Sequence, residues 1–233
     1  MQKILGYMRK AINKYSMIEN GDKIGVGISG GKDSVTLLLG LIKLRKFINI
    51  DFDIVALTLD LTLNNSPADY SEIKKICDEN NIKYVIEKTN IGPIVFDIRQ
   101  EKNPCSLCAR MRRGALHDLA KKEGCNKIAL GHNSDDWIET FFMNLFNEGR
   151  VGTFSPVTYL SIKDLYMIRP LILTPEKLIK NTVSKLNIPI VKNKCPADGH
   201  SNREWTKNYI AELEKDIPNI KKKLLSAITK YIS

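Results

Sequence analysis

The sequence predicts an α/β fold: a Rossmann-like parallel sheet with helices on both faces, and a helical, basic extension at the C-terminal end. Three observations predict it. Short β-branched runs alternate with helical periods over most of the chain. A glycine-rich turn follows the first run directly, at the kind of strand end where such sheets bind ligands. From about residue 174 the strand pattern gives way to amphipathic, lysine-rich segments.

The elements follow in order. Ile4, Leu5, Met8, Ile12 and Tyr15 repeat at the spacing of an amphipathic helix. KIGVGI (23–28) reads as a strand, SGGKDS as a turn and SVTLLLGLIKL as an apolar helix. DFDIVALTLD (51–60) is a second strand, SEIKKICDENN (71–81) a helix and KYVIEK (83–88) a third strand. A loop of about 15 residues precedes the helix SLCARMRRGALHDLAKKEG, which Gly124 ends. NKIALG (126–131) is a fourth strand leading into DDWIETFFMNLFNEG, and YMIRPL (166–171) is a fifth. TPEKLIKNTVSKL and REWTKNYIAELEK read as helices of the extension. The expected organisation is one α/β domain over residues 1–173, with residues 174–233 packed on it.

With 233 residues, 43% hydrophobic and 27% charged, the composition is that of a globular chain and excludes collagen-like and disordered classes. No apolar run approaches the roughly 18 residues of a spanning helix. The first residues are too polar for a secretory signal, so a cytoplasmic protein without a membrane partner is expected. Net charge is +10, unevenly spread: residues 1–150 carry 22 basic against 19 acidic side chains, residues 151–233 carry 14 against 7. Such an excess suits a polyanion, nucleic acid first; the lysine bias of an AT-rich genome explains it equally well.

Ser29-Gly30-Gly31-Lys32-Asp33-Ser34 stands between a strand and an apolar helix. Its glycines let backbone N–H groups approach an anion, and the helix dipole favours one there. This is a phosphate or pyrophosphate cradle. It lacks the GxxxxGK[ST] spacing of the Walker loop and is not the dinucleotide GxGxxG. Gly131-His132-Asn133-Ser134-Asp135-Asp136 follows the fourth strand. Its paired carboxylates, facing phosphates, would suit Mg²⁺, although Ser and Asp at a helix start also cap it, and one of the two aspartates is expected only to cap. His132 fits a ligand contact and a structural histidine equally.

Five cysteines, without a signal peptide, argue against a disulfide framework. Cys77 and Cys125 fall in apolar periods and are expected in the core. Cys105, Cys108 and Cys195 remain, and the residues alone leave three readings open: half of a zinc site completed by His200, a redox pair at a helix N-terminus, or three ligands of an iron–sulfur cluster.

SGGKDS resembles the signature of the PP-loop ATP pyrophosphatase superfamily (adenine nucleotide alpha hydrolase-like), which splits ATP into AMP and pyrophosphate while adenylating a substrate oxygen. Within it, CSLCARMRRGAL, KIALGHNSDDWIETFFMNLFNEG, IRPL and CPADG are similar, in that order, to the tRNA 2-thiocytidine synthetase family, from about residue 20 to 210. The resemblance implies a cytoplasmic sulfurtransferase that adenylates the C2 oxygen of an anticodon-loop cytidine, position 32, and replaces it with sulfur. It implies ATP, Mg²⁺ and a 4Fe-4S cluster held by Cys105, Cys108 and Cys195. It implies nucleotide contacts from Ser29 to Ser34, from Thr58, Leu59 and Asp60 at the second strand's end, and from Gly131 and Asp136. Lys32, Asp33, Arg112 and Asp135 are the implied catalytic groups. Arg110, Arg113, Lys192, Lys194, Arg203 and Lys207 are the expected RNA contacts, with phosphates gripped without sequence readout. The implied partners are tRNA, a sulfide or persulfide donor, and a second copy of the chain.

The sequence departs from the family in having Asp198 where a second C-x-x-C usually ends, which weakens a fourth thiol as sulfur carrier more than it weakens a three-ligand cluster. Trp205 and Tyr209, four apart, are expected in the core rather than stacked on a base. Rival readings are a 2-thiouridine synthetase, whose N-terminal cysteine pairs are absent here, a lysidine synthetase, which needs no thiols, an enzyme of free thiolated bases, and a zinc-stabilised RNA-binding module.

Overall fold

The computed structural model describes residues 1–63, 68–99, 104–191, 195 and 202–231. Strands β1 (Asp22–Gly27), β2 (Phe52–Asp60), β3 (Lys83–Lys88), β4 (Lys127–Ala129), β5 (Val157–Leu160) and β6 (Leu165–Ile168) form one sheet, in the order β3-β2-β1-β4-β6-β5. The first four expected strands are present, and β1 pairs in parallel with β2 and β4. β6 continues the parallel set beside β4, and β5 is an antiparallel edge. The fifth expected strand, 166–171, is therefore shorter and starts one residue earlier. Arg169 N–H leaves the ladder to reach Pro156 O at 3.1 Å, and Pro170 has no N–H to continue it.

Helices α1 (Gln2–Lys14), α2 (Lys32–Arg45), α3 (Ser71–Glu79), α4 (Pro104–Lys122), α5 (Ser134–Glu148), α6 (Glu176–Lys185), α7 (Asn202–Asp216) and α8 (Ile220–Tyr231) surround the sheet. A short π-helical segment, Pro93–Arg99, lies within the stretch expected to be a loop.

Alternation along β2 divides the core. Ile54 and Ala56 face the larger cluster, with Ile4 and Met8 of α1, Leu37, Leu38 and Leu41 of α2, Trp137 of α5, Ile179 of α6, Ile210 of α7 and Ile228 of α8. Val55 and Leu57 face the other side, where α4 lays down Leu119 and Ala120 beside Cys125. Cys77 and Cys125 are buried, as expected. The C-terminal helices thus pack against α5 and the same core as the sheet. Trp205 and Tyr209 correct the expectation of core packing: they are 57% and 39% exposed, stacked on each other at 5.4 Å on the outer side of α7. The face of α7 that carries Thr206 and Ile210 is the one turned inward.

Candidate nucleotide and thiol site

β1 ends at Gly27 and α2 begins at Lys32, so residues 28–31 must reverse the chain within one tight loop. Gly30 takes φ +82°, where a side chain is strained, and a Cβ there would stand 2.6 Å from Val191 Cβ. Val191 N–H donates to Gly30 O at 2.9 Å, tying the C-terminal region to the loop. Ser34 Oγ donates to Gly31 O at 2.9 Å and accepts from Ser29 N–H at 3.2 Å, which fixes the loop from inside. Gly31 provides no side-chain cap for α2, so the first-turn N–H groups are open to an anion.

The second loop locks onto the first. A Cβ on Gly131 would lie 3.0 Å from Asp33 C and Ser34 N, so only glycine lets the backbones meet this closely. Asn133 Nδ2 donates to Asp33 Oδ1 at 3.2 Å. Asn133 also caps α5, its side chain accepting from Asp135 N–H and Asp136 N–H while the Asp136 carboxylate accepts from Asn133 N–H.

Between these loops and α4 opens a cavity of about 670 Å³, the size of a drug-like or nucleotide site. Its wall includes Ser29, Gly31, Asp33, Ser34, Leu59, Asp60, Gly131 and Asp136 at one end, and Cys108, Arg112, Arg113 and Cys195 at the other. Tyr70, Phe96 and Leu116 supply apolar surface. Twelve residues singled out from sequence therefore converge on one wall.

Others are placed differently. Thr58 is buried just behind the wall, its hydroxyl bonded to Ile28 O at 3.0 Å and to Tyr84 OH at 2.9 Å. Asp135 was expected at the reacting end, and its geometry corrects that. Its buried carboxylate accepts from Glu176 N–H at 2.7 Å and from Lys221 Nζ at 3.0 Å, so it joins α5 to α6 and α8. Of the paired aspartates, Asp136 is the one on the cavity wall. Arg203 reaches back to Asp136 at 3.0 Å and Glu139 at 3.3 Å, and Lys207 pairs with Glu176 at 3.1 Å. These two expected RNA contacts thus neutralise acids of α5 and α6. Arg110 is exposed on α4, off the cavity wall. Lys192, Lys194, Asp198 and His200 lie outside the described residues.

Lys32 donates to Asp33 Oδ2 at 2.7 Å and pairs with Glu176 Oε1 at 3.0 Å. Burial opposes its charge, but the two carboxylates outweigh that and raise its pKa. Glu176 is partly desolvated too, yet Lys32 and Lys207 bring its carboxyl down to about 2. Asp136 moves up, because burial outweighs its bonds to Asn133 N–H and Arg203. Glu139, buried beside Asp136, is pushed up to about 7. His132 lies on the wall with its Nδ1 sealed and unbonded, and its ring centroid 5.0 Å from that of Phe154. Burial, then Arg169, Arg203 and Arg113, lower its pKa to about 3 and keep it neutral. Sequence reasoning left His132 undecided and missed Glu176, whose partners are all distant in sequence or outside any motif.

At the other end, Cys108 of the first turn of α4 and Cys195 of the C-terminal region are on the wall, while Cys105, one turn before Cys108 on the helix, is exposed and off it. Burial raises the Cys108 thiol pKa; Arg112, hydrogen-bonded to it, opposes that, and Cys195 and Cys105 add to it. All three sulfurs therefore act on one electrostatic neighbourhood. Among the described residues no three Cys, His, Asp or Glu side chains converge on a single ion. Cys105, Cys108 and Cys195 are a donor set of three thiols, the number a 4Fe-4S cluster with one open iron would take; the zinc reading depends on His200, which lies outside the described residues.

The PP-loop domain family model matches residues 4–214. A tRNA-cytidine(32) 2-sulfurtransferase of Geotalea daltonii is 38% identical over 230 residues, covering 97% of this chain and 90% of that one. One of Pelobacter propionicus is 37% identical over 223 residues, covering 94% and 82%. The chain belongs to this sulfurtransferase family. Among solved structures, the U34-tRNA thiolase NcsA of Methanococcus maripaludis, with its 4Fe-4S cluster, superposes with a TM-score of 0.78 at 26% identity, over 100% of this chain and 79% of that one. An NH3-dependent NAD synthetase of Campylobacter jejuni shares the fold, with a TM-score of 0.50 at 16% identity. Family membership makes the chain a transferase on an ATP-using PP-loop scaffold and sets aside the lysidine-type and non-catalytic readings. Among the described residues no helix is long and apolar enough to cross a membrane.

Proposed function

We propose that this sulfurtransferase converts cytidine 32 of tRNA to 2-thiocytidine, consuming ATP and releasing AMP and pyrophosphate. The observation that carries the proposal is one cavity that has a phosphate cradle at one end and Cys108, Cys195 and Arg112 at the other.

The C2 carbonyl of cytosine is a poor electrophile with a poor leaving group. In the first step its oxygen attacks the α-phosphorus of ATP, the bond to the β-phosphate oxygen breaks, and pyrophosphate leaves. The open N–H groups at the start of α2, with Lys32, offset the charge that develops on pyrophosphate. Asp33 and Asp136 would hold Mg²⁺, which offsets further phosphate charge. In the second step sulfide-level sulfur attacks C2, and AMP departs with the original oxygen. Cys105, Cys108 and Cys195 would hold a 4Fe-4S cluster, which supplies an iron with an open coordination position for sulfur. Arg112, bonded to Cys108, favours the thiolate that such ligation requires. Leu57, Leu59 and Tyr70 line the cavity beside the loop. Arg110 and Arg113 on α4 are the proposed grips on tRNA phosphates, with the exposed sides of Arg203 and Lys207; Lys192 and Lys194 are proposed for the same role from their charge alone.

The test is anaerobic purification followed by incubation with ATP, sulfide and a tRNA transcript carrying cytidine 32. Appearance of 2-thiocytidine in the nucleoside digest, with AMP in equal amount, supports the proposal. Thiolated uridine in its place would move the chain to the chemistry named for the Methanococcus maripaludis thiolase. Bound zinc and no iron after reconstitution would remove the cluster.

A further inference from the structure

Glu176 belongs to none of the motifs, yet it touches more charged partners than any residue of the phosphate loop. It opens α6, and its side chain is only 13% exposed. Its carboxylate lies 3.0 Å from Lys32 Nζ, 3.1 Å from Lys207 Nζ of α7 and 3.2 Å from Lys180 Nζ of its own helix. Its backbone N–H donates to Asp135 Oδ2 at 2.7 Å, and the other oxygen of Asp135 accepts from Lys221 of α8 at 3.0 Å. The carboxylate is thus held by lysines of α6 and α7, and the backbone beneath it by Asp135 of α5, which Lys221 of α8 holds in turn. Lys32 sits on a flexible four-carbon stem, and among the described residues its other ion pair is with the neighbouring Asp33.

We infer that Glu176 is the positioning residue for Lys32, holding its ammonium at the phosphate loop and making the C-terminal helices part of the adenylating machinery. The inference rests on the adenylation proposed above, because that is the reaction Lys32 serves. Lysine acts on phosphates as a point charge, so where the charge stands decides how well it offsets the departing pyrophosphate. A carboxylate that served only to stabilise α6 would leave turnover per folded molecule untouched.

The experiment compares wild type, Glu176→Gln, Lys32→Gln and the double variant in tRNA-dependent AMP formation, with ATP binding measured directly and thermal unfolding as the folding control. Glutamine keeps the shape and removes the charge. Expected is a fall in kcat of about 10- to 100-fold in Glu176→Gln, with KM for ATP changed less than about twofold. The double variant should be no slower than Lys32→Gln alone, since both changes act through one group. Full kcat in a Glu176→Gln variant of lowered Tm, or losses that multiply in the double variant, overturns the inference. If Glu176→Gln does not fold, Glu176→Asp carries the test: its carboxylate is withdrawn by one methylene, so kcat must fall in the wild-type background and not in the Lys32→Gln background. A wild-type chain that forms no AMP with tRNA overturns the adenylation itself, a separate outcome.

Discussion

The two ends of the cavity are built in opposite ways. At the phosphate end, two loops meet backbone to backbone through Gly131 and are cross-bonded by Asn133, while Ser34 ties the first loop to itself, so the cradle is shaped before anything enters it. At the thiol end, Cys105 is exposed at the first turn of α4, Cys108 sits in a small cluster with Ile91 and Val95, and Cys195 arrives from the far end of the chain. Preorganisation serves a charge that develops for an instant. A cluster brings its own rigid frame, so its ligands need only be near and able to ionise. One end is finished by folding; the other would be finished by the proposed cluster.

The largest effect should come from breaking the thiol end alone. Cys108→Ala should lose the roughly four irons and four sulfides of a 4Fe-4S protein and all detectable thiolation, while ATP binding stays at the wild-type level. Iron analysis beside equilibrium nucleotide binding checks this; a parallel loss of ATP binding would mean that the two ends are not independent. Lys32→Gln is the reciprocal change. It should cut AMP formation by about 10²- to 10³-fold, the scale of removing one charge-stabilising donor, and leave iron content unchanged.

Two glycines sharpen the contrast through stability. Gly131→Ala forces a Cβ against the Asp33–Ser34 backbone and should cost about 1–3 kcal/mol, an overpacking penalty. Gly114 of α4, with nothing within 4 Å of the added Cβ, should instead gain up to about 1 kcal/mol as alanine from helix propensity. Thermal unfolding of both variants reads the difference; equal shifts would show that the loop contact relaxes. The smallest effect is acid dependence. Glu176 has a folded pKa lowered to about 2 from 4.5, so its stabilising contribution is present above pH 4.5 and is lost as pH falls toward 2. Denaturant titrations of wild type and Glu176→Gln should differ at neutral pH and converge over that acid window.

Much of this was legible from local pattern. The glycine turn lies between β1 and α2, the GHNSDD loop starts α5, and the C-x-x-C falls in the first turn of α4, because strand period, helix period and capping residues are short-range signals. β5 escaped notice: it is four residues long, Val157–Leu160, and is paid for by antiparallel pairing with β6 rather than by any apolar run of its own. The roles of Asp135 and Glu176 are set by α6 and α8, which lie far along the chain. Arg203 and Lys207 read as RNA contacts from their charge, but charge in a sequence does not reveal a carboxylate on another helix. Trp205 and Tyr209 have core-like spacing, yet Thr206 and Ile210 take the inward face of α7.

The hydrogen bond from Val191 to Gly30 has a consequence for biosynthesis. The segment that carries Cys195 is stitched to a loop formed near the start of the chain, so the third sulfur cannot take its place until nearly all of the polypeptide has left the ribosome and the C-terminal helices have closed over α5. If the three thiols hold a cluster as proposed, its assembly would wait for the finished molecule, since a nascent chain offers the Cys105–Cys108 pair before Cys195 emerges.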